Sequence, residues 1–228
     1  MQPNFYNRDS KIFNARFYYL FESIDYMKHL LLFFTLIVGL NTYARKIEGY
    51  IVTKDADTVK CEVVQNFAVI SGIDIASFQY GIRVVLEDGK KRNFMPEDIK
   101  AFGIYIKKDT LHFVSVRVES PGLFGGRDQR QVFMHIIQRG HIKVYYFIDL
   151  MNGPNGAIRT PVYAVQLSYN ENAHWLEAKK NDSGRYDFKA FFKSFIPEYS
   201  TFFDSMSDKA RLDEVLDKIR KFNRAMVK

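Results

Sequence analysis

The sequence predicts an α+β protein that is mainly antiparallel β, as a curled sheet, partial barrel or sandwich, with a C-terminal helical segment packed on it. Three observations carry this prediction. Runs of alternating apolar and polar residues recur from Ile47 to about Ala178 and are separated by turn residues. Two central runs, Val132–Ile137 and Ile142–Ile148, are apolar on both faces and so need cover on each side. After about residue 180 the periodicity changes to helical, with Phe188, Phe191, Phe192 and Phe195, and then Leu212, Val215, Leu216, Ile219 and Phe222.

The elements follow in order. Met27-Lys28-His29 reads as a start with a short basic region, and Leu30–Leu40 as the apolar core of a secretory signal peptide. Asn41–Ala44 supplies a polar cleavage region with Thr42 and Ala44 at the small-residue positions. The signal peptide is therefore expected at 27–44. Eleven apolar residues rising about 1.5 Å each fall well short of a hydrocarbon core about 30 Å thick, which disfavours a transmembrane anchor. Residues 1–26 are rich in Phe, Tyr, Asn, Ile and Lys, which AT-rich codons encode. They read as an upstream extension from a start assigned too early, with a cytoplasmic tail on a type II anchor as the alternative.

In the β-rich region, 45–180, the run IEGYIVTKDADTVKCEVV predicts a hairpin over Ile47–Val64 around Lys54–Asp57. Ile82–Glu87 and Lys90–Phe94 flank Asp88-Gly89, which predicts a two-residue type I′ turn with Glu87 opposite Lys90. Further strands are expected at Ile104–Lys107, Leu111–Val118, Gln131–Gln138, Ile142–Ile148, Val162–Ser168 and His174–Ala178. Loops are expected at Glu119–Arg130 and Asn152–Pro161. The helical segment, 181–228, carries Ser207 and Asp208 as capping candidates for its last helix. A second use of that helix's apolar stripe, on a partner helix or a membrane, is opposed for lipid by Asp213, Glu214 and Asp217.

Composition narrows the chemistry. The 228 residues carry a formal charge of +7 and are 47% apolar, enough to build a core. Without residues 1–44, which hold Arg8, Lys11, Arg16 and Lys28 against Asp9, Glu22 and Asp25, 29 basic and 23 acidic residues remain. The basic residues are scattered among acids, which describes a mixed solvated surface rather than a nucleic-acid footprint, and export argues against nucleic acid too. Cys61 is the single cysteine, so no intrachain disulfide can form, and its alternation with Val59 and Val63 predicts a small buried hydrophobe.

Catalytic and metal signatures are not evident. His112, His135, His141 and His174 have no metal-ligand spacing. If Arg139-Gly140 form a two-residue turn, Gln138 pairs with His141, and His135 and His141 face opposite ways. Gly122–Gly126 lacks the Lys-Ser or Lys-Thr of a phosphate loop, and Asp55 and Asp57 sit in a turn rather than as an acid–base pair. No cofactor is implied. His174 and Trp175 form the binding candidate, as a stacking platform for a sugar, weighed against a packing role for the tryptophan.

Gly49–Thr53 through Asp57–Val59, Pro96–Phe102 and the late Phe- and Lys-rich helix ending near Asn223 together resemble exported, functionally uncharacterised β-rich proteins of Bacteroidetes-type bacteria. The resemblance implies an address, in the periplasm, at the outer membrane or outside the cell, and no reaction. The leading expectation is a non-catalytic module that binds or scaffolds an envelope component or protein partner. An envelope hydrolase with a site built from distant residues and an assembly factor acting through its C-terminal helix are the alternatives.

Overall fold

The computed structural model describes residues 45–65, 73–121, 127–153 and 156–227; the extension at 1–26 and the signal peptide at 27–44 lie outside the described residues. β1 (Arg45–Val52) and β2 (Thr58–Gln65) pair antiparallel from Arg45↔Gln65 to Val52↔Thr58. Ile47, Ile51, Cys61 and Val63 are their buried members, as period-two alternation requires. Their turn is closed by Thr53 N–H donating to Asp57 O at 2.9 Å and Ala56 N–H donating to Thr53 O at 3.1 Å, which leaves a three-residue loop with Ala56 at φ +71°.

A 3₁₀ turn, Ile75–Phe78, capped by Asp74, leads to β3 (Ile82–Leu86) and β4 (Lys91–Phe94). The type I′ turn expected between them does not form. Leu86 N–H donates to Lys90 O at 2.9 Å, so Leu86, not Glu87, faces Lys90, and the loop is Glu87-Asp88-Gly89. A type I′ turn needs positive φ at both central residues, and only Gly89, at +79°, has it here. Lys90 reaches Asp88 instead, at 2.7 Å.

β5 (Ala101–Ile106), β6 (Asp109–Pro121), β7 (Arg127–Gln138), β8 (Ile142–Gly153), β9 (Gly156–Leu167) and β10 (Asn172–Trp175) complete the main sheet, in the order β10-β9-β8-β7-β6-β5-β1-β2-β3-β4. All these neighbours are antiparallel, and β10 also pairs in parallel with β6 through Asn172↔Arg117 and Ala173↔Val118. That pairing joins β6 to β10 into a closed five-stranded ring, with β5 and β1 to β4 continuing the sheet beyond it, which is nearest to the partial barrel among the predicted forms. Val116, Val118, Val132, Met134, Tyr145, Phe147, Ala164 and Ala173 fill its interior. The ring's strands reach further than expected. β6 and β7 pair out to Pro121↔Arg127 and β8 and β9 to Gly153↔Gly156, so the two predicted loops shrink to their tips. Pro161 is accommodated inside β9 because its partner Ile148 turns its peptide groups to the other side, where no proline N–H is needed.

The β7–β8 ladder is brief: His135↔Tyr146, Ile136↔Tyr145 and, after a bulge, Gln138↔Val144. The predicted pairing of Gln138 with His141 is therefore corrected, because the bulge adds a residue and Gly140, at φ +148°, widens the connection. His141 turns instead toward Tyr169, Tyr199 and Phe222. Beyond the ladder, two carboxamides replace the missing strand. Asn223 accepts from Ile142 N–H and donates to Ile142 O, both at 2.8 Å. At the other end Gln79, in the one orientation that matches donors with acceptors, donates to Ile148 O at 3.0 Å and accepts from Ile148 N–H at 2.6 Å. Its own carbonyl accepts from Phe133 N–H at 2.8 Å. Both amides are buried, where unpaired peptide groups are costly.

A small ladder of β11 (Lys179–Lys180) and β12 (Tyr186–Asp187) leads into the helices α1 (Phe188–Phe195), α2 (Ser200–Phe203) and α3 (Leu212–Met226). Asp187 caps α1 by accepting from Ala190 N–H at 2.7 Å. Phe191, Phe192, Phe203, Val215, Ile219 and Phe222 bury against Ile142, Val144, Val165 and Leu167 of β8 and β9. Fully burying each such side chain contributes about 1.5–3 kcal/mol. The expected caps of the last helix do not cap it: α3 begins after Arg211 without a side-chain cap. Ser207 accepts from Lys209 N–H, and Asp208 pairs with Lys189 at 2.6 Å. A second core, on the other arm of the sheet, packs Phe78 against Ile51, Val63, Val84, Phe102, Phe113 and Phe133.

Candidate functional site

The register across the sheet places Lys60, Tyr50, Gly103, His112, Ile136 and Tyr145 in one row, on β2, β1, β5, β6, β7 and β8 in turn. Cross-strand neighbours share a face, so this row lies on the side that becomes the interior of the ring. Gly103 has no side chain, and a Cβ there would strike the Tyr50 ring. The ring therefore lies across β5 and delivers its hydroxyl to Nδ1 of His112, two strands away, at 2.7 Å.

Around this pair is a groove of about 590 Å³, lined by the polar side chains of Tyr50, Thr58, Tyr105, His112, Arg139, Lys143 and Tyr145 over Val52, Val114 and Ile136. The volume lies within the range of small-ligand sites. Arg139 comes from the β7–β8 connection and Lys143 from the start of β8, so the bulge and Gly140 position both cations. At the closed side Tyr145 donates to Gln166 Oε1 at 2.6 Å, and Gln166 donates to the carbonyls of Asn170 and Glu171, both at 2.9 Å. This chain pins the β9–β10 turn and rigidifies that rim.

Electrostatics are one-sided. No Asp or Glu lines the groove, and neither Arg139 nor Lys143 has an ion-pair partner among the described residues. Burial holds His112 below the usual histidine range, and the charges of Arg139 and His135 push the same way. His112 is thus neutral near pH 7. Its Nδ1 is bonded to the Tyr50 hydroxyl, and the tautomer decides which of the two donates. Burial raises Tyr50 as well, against the pull of Arg139, and raises Tyr145 to about 12. Both phenols remain protonated donors. His135 donates its Nδ1 proton to His112 O at 3.0 Å, which fixes the neighbouring strand rather than adding a group to the groove.

His174 and Trp175 are adjacent on β10 and so face opposite ways. His174 packs on Phe195 of α1 with ring centroids 5.6 Å apart, and Trp175 packs on Phe147 at 5.7 Å within the ring. The structure does not bring them together. Among the described residues no group of His, Cys, Asp or Glu is arranged to hold a metal ion. Cys61 is buried, with burial pushing its thiol up to about 11. No helix among the described residues is long and apolar enough to cross a membrane. Sequence reasoning passed over the groove because Tyr50, Gly103, His112 and Arg139 are far apart in the chain. Gly49 and Gly103, two glycines inside strands, were the available signal of close backbone approach.

No family model, curated protein or solved structure matches the chain.

Proposed function

We propose that the protein is an exported, non-catalytic binding module of the cell envelope, and that its ligand enters the Tyr50–His112 groove. The observation that carries this reading is the groove's lining: hydrogen-bond donors and two cations over an apolar floor, without a carboxylate among the described residues. Hydrolytic chemistry by general acid and base draws on paired carboxylates or on a histidine serving a nucleophile. Here His112 already has its Nδ1 engaged by a phenol, and the interior of the ring is packed with Val116, Met134 and Phe147. A filled interior with a shallow donor-lined mouth favours binding over turnover. Export rests on the signal-peptide pattern of Met27–Ala44, and the first of the described strands starts at Arg45, immediately after it in the sequence.

The test is recovery of ligand from envelope extract of the native host by the full chain, against a Thr58→Trp variant that fills the groove mouth from an exposed position. The reading predicts a small molecule or envelope component retained by the wild type and lost from the variant. Equal recovery by both proteins, or steady turnover of an extract component, would overturn it.

A further inference from the structure

We infer that the groove is built for a phosphate monoester bearing an apolar substituent, an inference that rests on reading the groove as a binding site. Arg139, Lys143 and the Tyr50–His112 pair present donors to the groove, while Tyr145 has given its proton to Gln166. Arg139 offers a planar fork and Lys143 an ammonium, neither neutralised by a carboxylate among the described residues. The Tyr50 hydroxyl and His112 Nδ1 are bonded to each other, and in either imidazole tautomer the pair keeps one donor for the groove, His112 Nε2–H or the Tyr50 O–H. The Tyr105 hydroxyl, on a ring 46% exposed, adds a further donor at the rim.

Two cations without carboxylate partners among the described residues match the two charges of a phosphate monoester, whereas a single carboxylate neutralises only one of them. Arg139 is exposed and Lys143 half-buried, and the Arg139 charge reaches Tyr50, His112 and Tyr145, which places the guanidinium at the solvent-facing mouth of the groove. The floor of Val52, Val114 and Ile136, flanked by the Tyr50 and Tyr105 rings 6.0 Å apart, has no use for a bare inorganic ion. It accommodates an aryl or acyl portion, and contact with that portion separates the ester from free phosphate. The phosphate monoester can belong to a soluble metabolite or to a lipid headgroup of the phosphatidic acid type.

The experiment is calorimetric titration of the full chain with phenyl phosphate, inorganic phosphate, benzoate and phenyl β-glucoside, alongside flotation with phosphatidylcholine vesicles with or without phosphatidic acid. Arg139→Gln, Lys143→Gln and Thr58→Trp are measured in parallel. Phenyl phosphate is expected to bind about tenfold more tightly than inorganic phosphate or benzoate. Each cation variant should weaken it roughly tenfold or more, in line with a charge-assisted hydrogen bond. Flotation with phosphatidic acid vesicles in place of phenyl phosphate binding, lost in the same variants, supports the inference and assigns the source to lipid. Benzoate or the glucoside binding as well as phenyl phosphate, with loss in Thr58→Trp, overturns the phosphate assignment and leaves the groove as a binding site. Absence of binding by every probe, or binding unchanged in all three variants, overturns both.

Discussion

Asn223 of α3 and Ile142 of β8 form a two-bond pair in which a side-chain amide occupies the place of a strand, with both bonds at 2.8 Å. β8 would otherwise present an unpaired N–H and C=O to the buried face of the helix. The helix is thereby bonded to the sheet at the residue that begins β8, one position before Lys143 of the groove.

Asn223→Ala leaves both peptide groups of Ile142 without partners, and each buried unpaired group costs about 1–3 kcal/mol. The expected loss is roughly 2–4 kcal/mol in urea denaturation, together with faster hydrogen exchange at the Ile142 amide. Asn223→Asp keeps an acceptor but loses the donor and buries a charge, so it should rescue little. A loss below about 0.5 kcal/mol for Asn223→Ala would show that water replaces the amide.

Ala56 and Gly89 occupy equivalent last positions in two three-residue hairpin loops, at φ +71° and +79°. An L-residue in this region costs about 1–2 kcal/mol, partly offset by the greater unfolded-state freedom of glycine. Ala56→Gly should therefore stabilise the protein by about 0.5–1 kcal/mol, and Gly89→Ala should destabilise it by a similar amount. Matched denaturation curves check the pair, and a destabilised Ala56→Gly would contradict the assignment.

Gly103→Ala places a methyl group against the Tyr50 ring, whereas Gly49→Ala drives a Cβ into the backbone carbonyl of Gly103. The ring can swing away at modest cost, but the carbonyl cannot move without parting β1 from β5. Gly49→Ala should cost more than about 2 kcal/mol. Gly103→Ala should cost less, yet abolish the Tyr50–His112 hydrogen bond, visible as a change in the His112 ring nitrogen shifts.

Because His112 is held below its ordinary value of 6.5 in the folded state, the unfolded chain binds its proton first. Its contribution to stability is complete above about pH 6.5 and is lost as the pH falls toward the folded-state value. His112→Gln should flatten the stability–pH profile below pH 6.5 and leave it unchanged above pH 7.5. A profile for the variant parallel to the wild type through that window would contradict this placement.

The Cys61 thiol, raised from 9.0 to about 11, holds about 100-fold less thiolate at a given pH below both values. Labelling by iodoacetamide at pH 8 should be slower than for a free thiol by at least that factor, and should reach the free rate once the chain unfolds.

Local chemistry was legible in the sequence, and its closure was not. Alternation at Ile47–Val63 and Ile82–Phe94 shows both hairpins, and the stripe from Leu212 to Phe222 shows the helix. The turn at Asp88-Gly89 was placed one residue off, because a single positive φ suits a three-residue loop as well as a two-residue one. The bulge before Gln138 arises from tertiary demands, since Gly140 must clear Asn223, some eighty residues away in the chain. Likewise the parallel β6–β10 pairing that closes the ring joins segments without a shared local pattern. His174 and Trp175 drew notice as adjacent residues, although adjacency in a strand sends side chains to opposite faces. The groove residues are scattered over six strands and a turn, and register alone unites them.

The most direct test of the groove as the ligand site is nitrogen NMR of the histidine rings during titration with phenyl phosphate. The account predicts saturable shifts of the His112 ring nitrogens while those of His141 and His174, packed under the helices, stay fixed. Saturable shifts at His141 or His174 with His112 unmoved would contradict it.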